Sequence, residues 1–205
     1  TSAIVTSAIP EAVGYAYAQK YKNQDGVVIC YHGDGAVDEG VYWESLNFAS
    51  WHQLPILFVC ENNKYAIYTH QNKRMLGDSI VERANSFGVK SLRVDGLSTE
   101  DFYNATNNSL DKIKSNGGPM LIECLTTRWR DHVGPGEDRH IKFRSDKDLD
   151  HSIKSDDLNN LEKLLSKKEV EQIQSEVDTK LNEAINYAEE STFPEISEIT
   201  DEVYG

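Results

Sequence analysis

The sequence predicts an α/β protein, a parallel sheet flanked by helices with an acidic helical extension at the C-terminus. Three observations carry this. Short apolar runs alternate with stretches of helical period along residues 1–126, as in sheets covered by helices. Each apolar run ends abruptly in a polar or glycine-rich break. Charge is also uneven: residues 151–205 carry 14 acids and 5 bases, against 20 and 16 in residues 1–150. The expected organisation is an α/β domain over 1–145 with a C-terminal helical extension of the same domain over 146–205.

The elements follow in order. Pro10 opens an amphipathic stretch, PEAVGYAYAQKY, with Val13, Ala16, Tyr17 and Tyr21 near helical spacing. Residues 23–26 are a turn cluster, and GVVICY (26–31) reads as a strand covered on both faces. HGDG breaks it, and a helix is expected over 39–52. PILFVC (55–60) is the next buried strand, followed at once by the polar loop ENNKY. Residues 79–87 read as helix and 91–96 as strand and turn. Ser98, with Asp101 three residues on, starts a helix over 98–115. PMLIECLT (119–126) is the fourth strand. A charged excursion, TTRWRDHVGPGEDRHIKFRSD, comes next, and long ordered loops are usually functional. From Leu158 the chain reads as acidic helix, with an apolar stripe through Val170, Ile173, Val177, Leu181, Ala184, Ile185 and Ala188.

Composition excludes several function classes. The net charge of −13 leaves no basic footprint for nucleic acid and disfavours an anionic membrane surface. No apolar run approaches the roughly 20 residues of a membrane span. The opening residues lack a basic start, so a secretory leader is not expected. Cys30, Cys60 and Cys124 sit in apolar runs without metal-ligand spacing, which points to a reducing compartment rather than a disulfide framework.

In parallel sheets ligands bind beyond the carboxyl ends of the strands, which singles out HGDG, ENNKY and the segment after Leu125. Gly33, Asp34 and Gly35 follow one buried strand, and Asn63 follows the next. Glycines admit close backbone approach, and amides at the start of a following helix favour an anion. A carboxylate would repel a diphosphate unless a cation lay between them. Magnesium fits, with Asp34, the Asn63 carboxamide and the Tyr65 carbonyl as oxygen donors. GDG or ENN alone is an ordinary turn. The pair, one helix apart and each after a buried strand, is far more specific.

GDG followed after about thirty residues by NN resembles the thiamine-diphosphate binding motif. YHGDGAVDEGVYWESLNFASWHQLPILFVCENNKYAIYT is similar to the alpha subunit of the thiamine-dependent 2-oxoacid dehydrogenases, the pyruvate, branched-chain and acetoin group. The likeness runs from Ala3 to Arg128 and more loosely beyond. It implies the thiamine-diphosphate-binding fold, thiamine diphosphate and Mg2+ as cofactors, and Asp34, Asn63 and Tyr65 as metal ligands. It places amides of Gly35 and Ala36 near the phosphates, and backbone groups of Ala3 and Val5 against the aminopyrimidine. It makes Arg128 a phosphate ligand and gives His132 a catalytic place at the thiazolium. Arginine is a fork donor to phosphate, and histidine moves protons near neutral pH.

The implied reaction decarboxylates a 2-oxoacid or acetoin-like substrate and passes the acyl group to a lipoyl acceptor. The implied partners are a beta subunit supplying the activating glutamate, a second alpha copy in a heterotetramer, and a lipoyl-bearing acyltransferase. Glu39, Glu44 and Glu61 read instead as helix-surface or loop-shaping residues. The expected location is cytoplasmic, or the mitochondrial matrix in a eukaryote. By the same likeness, roughly a hundred further N-terminal residues are expected in the family's subunit. Val133 stands where many relatives have a serine after the loop histidine, so a phosphorylation switch there is not expected. VGPGEDR departs from the typical pyruvate loop, leaving the substrate open. Two alternatives remain: another thiamine enzyme of transketolase or decarboxylase type, which shares GDG and NN, and a non-catalytic nucleotide-binding subunit.

Overall fold

The structure, a computed structural model, describes residues 4–200. The chain divides into two compact units, Thr1–Asp157 and Leu158–Gly205. The first holds a four-stranded sheet of β1 (Val28–Gly33), β2 (Ile56–Asn62), β5 (Lys90–Asp95) and β6 (Met120–Leu125), in spatial order β1-β2-β6-β5. All three pairings are parallel, as the alternation predicts. Parallel pairing brings the carboxyl ends of the strands to one edge, so the segments after Gly33 and Asn62 emerge side by side.

Alternation along the strands sorts two cores. Cys30, Ile56, Phe58, Cys60 and Leu121 pack with residues of α1 (Ala8–Tyr21), α2 (Gly40–Trp51) and α3 (Ile80–Ser86), among them Val13, Tyr42, Leu46 and Ala84. Leu57, Val59, Met120, Ile122 and Cys124 pack on the other face with Ala105 and Ile113 of α4 (Thr99–Asn116). Each fully buried aliphatic side chain contributes about 1.5–3 kcal/mol. Ser98 caps α4 as its sequence predicts, its hydroxyl accepting from the Asp101 amide at 3.2 Å.

The first strand departs from expectation. It runs two residues later, through His32 and Gly33, and only one face is covered. Cys30 and His32 are buried, whereas Ile29 is 39% and Tyr31 57% exposed. The second core draws on β2, β5 and β6, and neither Ile29 nor Tyr31 joins it. An edge strand of apolar residues therefore reads in sequence like a fully covered one.

The expected loop after the second strand also changes. β2 continues to Asn62, and Tyr65–Ala66 (β3) pairs antiparallel with Thr69–His70 (β4) in a small hairpin. Asn62 stays in the ladder because its carbonyl accepts from Thr126 N–H and its buried side chain donates to Glu123. The excursion after Leu125 contains a short 3-10 turn at Arg139–Ile141 and then α5 (Asp146–Lys154).

Next comes the short α6 (Asp157–Leu161), where the second unit begins. That unit is dominated by α7 (Lys167–Glu190), which opens on a reciprocal cap between Ser166 and Glu169. None of its residues is buried. Among the described residues no helix is long and apolar enough to cross a membrane.

Candidate functional site

β1 ends in Gly33, and the chain passes directly into a 3-10 turn, Asp34–Asp38. The helix that follows the strand is this 3-10 turn, with Gly33 as its N-cap and Gly35 and Ala36 in its first residues, while α2 begins only at Gly40. The backbone at Gly35 approaches the hairpin closely, since a Cβ there would stand 3.1 Å from the Cβ of Ala66. The turn thus packs closely against the β3–β4 hairpin. Asp34 is buried, with only 1% exposed. Burial pushes its carboxyl upward from the ordinary carboxylate range, and the adjacent Arg74 guanidinium opposes that rise.

The ENN segment is held from below. Asn62 is fully buried, and its Nδ2 donates to Glu123 Oε1 at 2.7 Å and to Gln71 Oε1 at 3.2 Å. Its Oδ1 accepts from Lys64 N–H at 2.9 Å. Asn63 Oδ1 accepts from Tyr65 N–H at 2.9 Å. A carboxamide oxygen has two lone pairs, so this turn leaves acceptor capacity.

Asp34, Asn63 and Tyr65 line one cavity of about 560 Å³, together with Val5, Gly33, Gly35, Ala36 and His132. The structure therefore brings together eight of the sequence-predicted residues from four segments of the chain. Ala3 lies outside the described residues. Val5 is 63% exposed at the cavity wall. Next to it Thr6 adopts φ +73°, a conformation costly for a β-branched residue, and its hydroxyl donates to Ala36 O at 3.1 Å. That bond ties the N-terminal segment to the GDG turn.

Arg128 is placed differently from the others. It lines a neighbouring cavity with Arg144, Lys64 and His151, and the two cavities share Asn63 and Tyr65. Its guanidinium donates to Ile67 O at 2.8 Å and pairs with buried Asp138 at 3.4 Å, and its Nη1 lies 3.0 Å from His132 Nδ1. A guanidinium has no lone pair to offer, so Nδ1 accepts and the imidazole proton sits on Nε2. His132 thus lines the cavity with its ring oriented by Arg128.

Sequence reasoning passed over Asp138, Arg144, Glu123 and Arg74. Asp138 is 1% exposed and joins Arg128 to Arg144, whose Nη2 meets it at 2.7 Å. Charged residues scattered along a polar loop gave no signal for this. Glu123 inside the apolar run MLIECL was the one available signal, since a carboxylate in a buried strand needs partners. His32 also lines the cavity and packs edge-on against Tyr42 at 4.9 Å. Burial pushes its imidazole down to about 4, so it is neutral near pH 7. Glu39, read as a helix-surface residue, is the N-cap of α2 and also lines the cavity.

The electrostatics decide what the cavity can hold. Asp34, Asp38 and Glu39 line it, with no lysine or arginine among the described lining residues. A diphosphate would be repelled without a bridging cation. Asp34, Asn63 and Tyr65 offer a carboxylate, a carboxamide and a peptide carbonyl, all hard oxygens suited to magnesium. Among the described residues no group of three or more His, Cys, Asp or Glu side chains could hold a metal by itself. A cation here fits as one shared between protein and ligand oxygens.

Comparison with known proteins agrees with this geometry. Residues 1–197 match the family described as "Dehydrogenase E1 component". The chain is 28% identical over 207 residues to the pyruvate dehydrogenase E1 component subunit alpha of Rickettsia felis, covering 98% of this chain and 63% of that protein. It is 31% identical over 205 residues to the alpha subunit of Bacillus subtilis acetoin:2,6-dichlorophenolindophenol oxidoreductase, covering 98% and 61%. Identity reaches 42% over 131 residues with the mouse mitochondrial 2-oxoisovalerate dehydrogenase subunit alpha, covering 64% and 30%. The chain thus spans less than two thirds of the length of these relatives. An X-ray structure of a protein from Mycobacterium smegmatis superposes with TM-score 0.50 at 24% identity, covering 60% of this chain and 22% of that one. At that identity it supports the fold alone. With the family match running almost the full length, and the GDG and NN segments meeting at one cavity, the chain belongs to the dehydrogenase E1 component family.

Proposed function

We propose that this chain is the cofactor-anchoring alpha subunit of a thiamine-diphosphate- and magnesium-dependent dehydrogenase. It would act on a 2-oxoacid or acetoin-like substrate and pass the acyl group to a lipoyl acceptor. The observation that carries the reading is the meeting of Asp34, Asn63 and Tyr65 at one acid-lined cavity beyond two adjacent parallel strands. Thiamine diphosphate, when bound, supplies the electron sink for decarboxylation. The chain's own residues hold and orient it. Asp34, Asn63 and the Tyr65 carbonyl hold magnesium against the diphosphate. The Gly35 and Ala36 backbone lies close to the phosphates, and Val5, with Ala3, borders the aminopyrimidine. His132, its Nδ1 held by Arg128, presents Nε2–H to charge developing at the reacting end. Arg128, in the adjoining cavity, serves the phosphates through the shared Asn63–Tyr65 wall.

The activating glutamate is assigned to a beta subunit, with a second alpha copy and a lipoyl-bearing acyltransferase completing the assembly. Such an assembly works in the cytoplasm or the mitochondrial matrix.

The test is calorimetry with thiamine diphosphate and magnesium on the native protein with its partner chain. Asp34→Ala should abolish magnesium-dependent binding, and Asn63→Ala should weaken it less, since it removes a neutral ligand. Unchanged affinity in Asp34→Ala would sink the metal assignment.

A further inference from the structure

We propose that Arg74 is the positioning residue of the cation site, a role that rests on the cofactor reading above. The Arg74 guanidinium spans two carboxylates of the GDG turn. Its Nη2 donates to Asp34 Oδ2 at 2.5 Å, and its Nη1 donates to Asp38 Oδ2. Its Nε donates to Thr69 O at 3.1 Å, in the hairpin that Tyr65 begins. Its own amide donates to Gln71 O at 3.0 Å, and Gln71 in turn accepts from Asn62 beside Asn63. One side chain therefore ties the loop that bears Asp34 to the segment that bears the other two oxygen donors.

The placement is specific. Asp34 and Asp38 line the cavity, whereas Arg74 is not among its lining residues. The guanidinium holds Asp34 through Oδ2 without itself forming part of the cavity wall. The Arg74 side chain is 11% exposed and that of Asp34 2%. A carboxylate so deeply buried needs a partner to stay ionised and to stay in one rotamer. Arginine suits this better than lysine, since its planar fork meets two carboxylates and a carbonyl at once. The charge it brings also offsets part of the repulsion between Asp34 and Asp38.

Partners that hold a metal-ligating carboxylate typically contribute 10–100-fold to metal affinity when they are removed by mutation. Simple charge repulsion predicts the opposite sign, because removing a cation near a magnesium site would tighten it. The two ideas separate in one measurement. Magnesium is titrated calorimetrically into the native protein with its partner chain, at saturating thiamine diphosphate, for wild type, Arg74→Gln and Arg74→Lys. Thermal melting of each variant is recorded alongside. The positioning role requires the magnesium Kd to rise about 10–100-fold in Arg74→Gln. Arg74→Lys, which keeps the charge but cannot span both carboxylates, should fall between. Should Arg74→Gln fail to fold, the lysine variant alone decides by its magnesium Kd. A lowered melting temperature with unchanged magnesium Kd would mark a merely structural role and overturn the proposal, as would tighter magnesium binding. Absence of magnesium-dependent binding in the wild type overturns the cofactor reading and this role with it.

Discussion

Replacing Glu123 by alanine tests whether the floor under the ENN segment is what holds it. The Glu123 side chain has no solvent exposure and accepts from Asn62 Nδ2 at 2.7 Å, Arg93 Nε at 3.0 Å, Arg93 Nη2 at 3.2 Å and Val81 N–H at 3.4 Å. Breaking a buried pair typically costs 3–5 kcal/mol when the partner charge is stranded. Here it is not stranded, because the Arg93 side chain is 32% exposed and keeps its bond to Asp78 O. Its share is that of a solvent-screened pair, about 1 kcal/mol. The Asn62 bond to a charged acceptor is worth about 2 kcal/mol, softened by its second bond to Gln71. The expected loss is about 3 kcal/mol. With a urea slope of about 2 kcal/mol/M, the unfolding midpoint should drop by about 1.5 M. Glu123→Gln keeps the shape and one acceptor for Asn62, so it should lose roughly a third as much. Urea unfolding followed by tryptophan fluorescence and circular dichroism measures both. An alanine variant within about 0.3 M of wild type would refute the floor argument, and so would a glutamine variant as unstable as the alanine one.

In the complete assembly, His132→Ala should leave thiamine diphosphate affinity within a few-fold while turnover falls by about 10²–10⁴; turnover near wild type would remove the catalytic role and keep the cofactor site. Gly96→Ala should destabilise the fold by about 1–3 kcal/mol, because a Cβ would lie 2.4 Å from Cys124 Sγ and 2.8 Å from Leu125 O; an unchanged melting temperature would show that the β6 end yields freely. The three cysteines are free and buried, and burial pushes the Cys30 and Cys124 thiols up to about 11 and raises Cys60 as well. A disulfide reagent at pH 8 should therefore leave the native protein unmodified and titrate three thiols only in denaturant. The unfolded chain ionises these thiols from about 9, whereas the folded one holds its protons to about 11, so stability should fall as pH rises above 9. Flat stability from pH 8 to 10.5 would contradict the assigned burial.

Much of the site was legible because its signals are local. A glycine-flanked aspartate after an apolar run, and paired asparagines after the next, mark two strand ends whatever the sheet order. The parallel sheet followed from alternation, and the α4 cap from Ser98 and Asp101. Tertiary structure decided the rest, for reasons no window of sequence contains. Residues 26–31 are apolar on both sides of the strand, but Ile29 and Tyr31 stay exposed because the second core, built over β2, β6 and β5, does not extend to that face of β1. The order β1-β2-β6-β5 places β6, last in the chain, between earlier strands, and so brings Glu123 under Asn62 across 61 residues. Arg74 looks in sequence like one more surface base in QNKRML. Only the fold of the hairpin carries it back 40 residues to Asp34, where burial makes a guanidinium necessary. The sequence by itself determined where strands end and which oxygen-bearing residues stand just beyond them. The tertiary structure decided which charges are buried, and burial is what turns an ordinary ion pair into a support for the site.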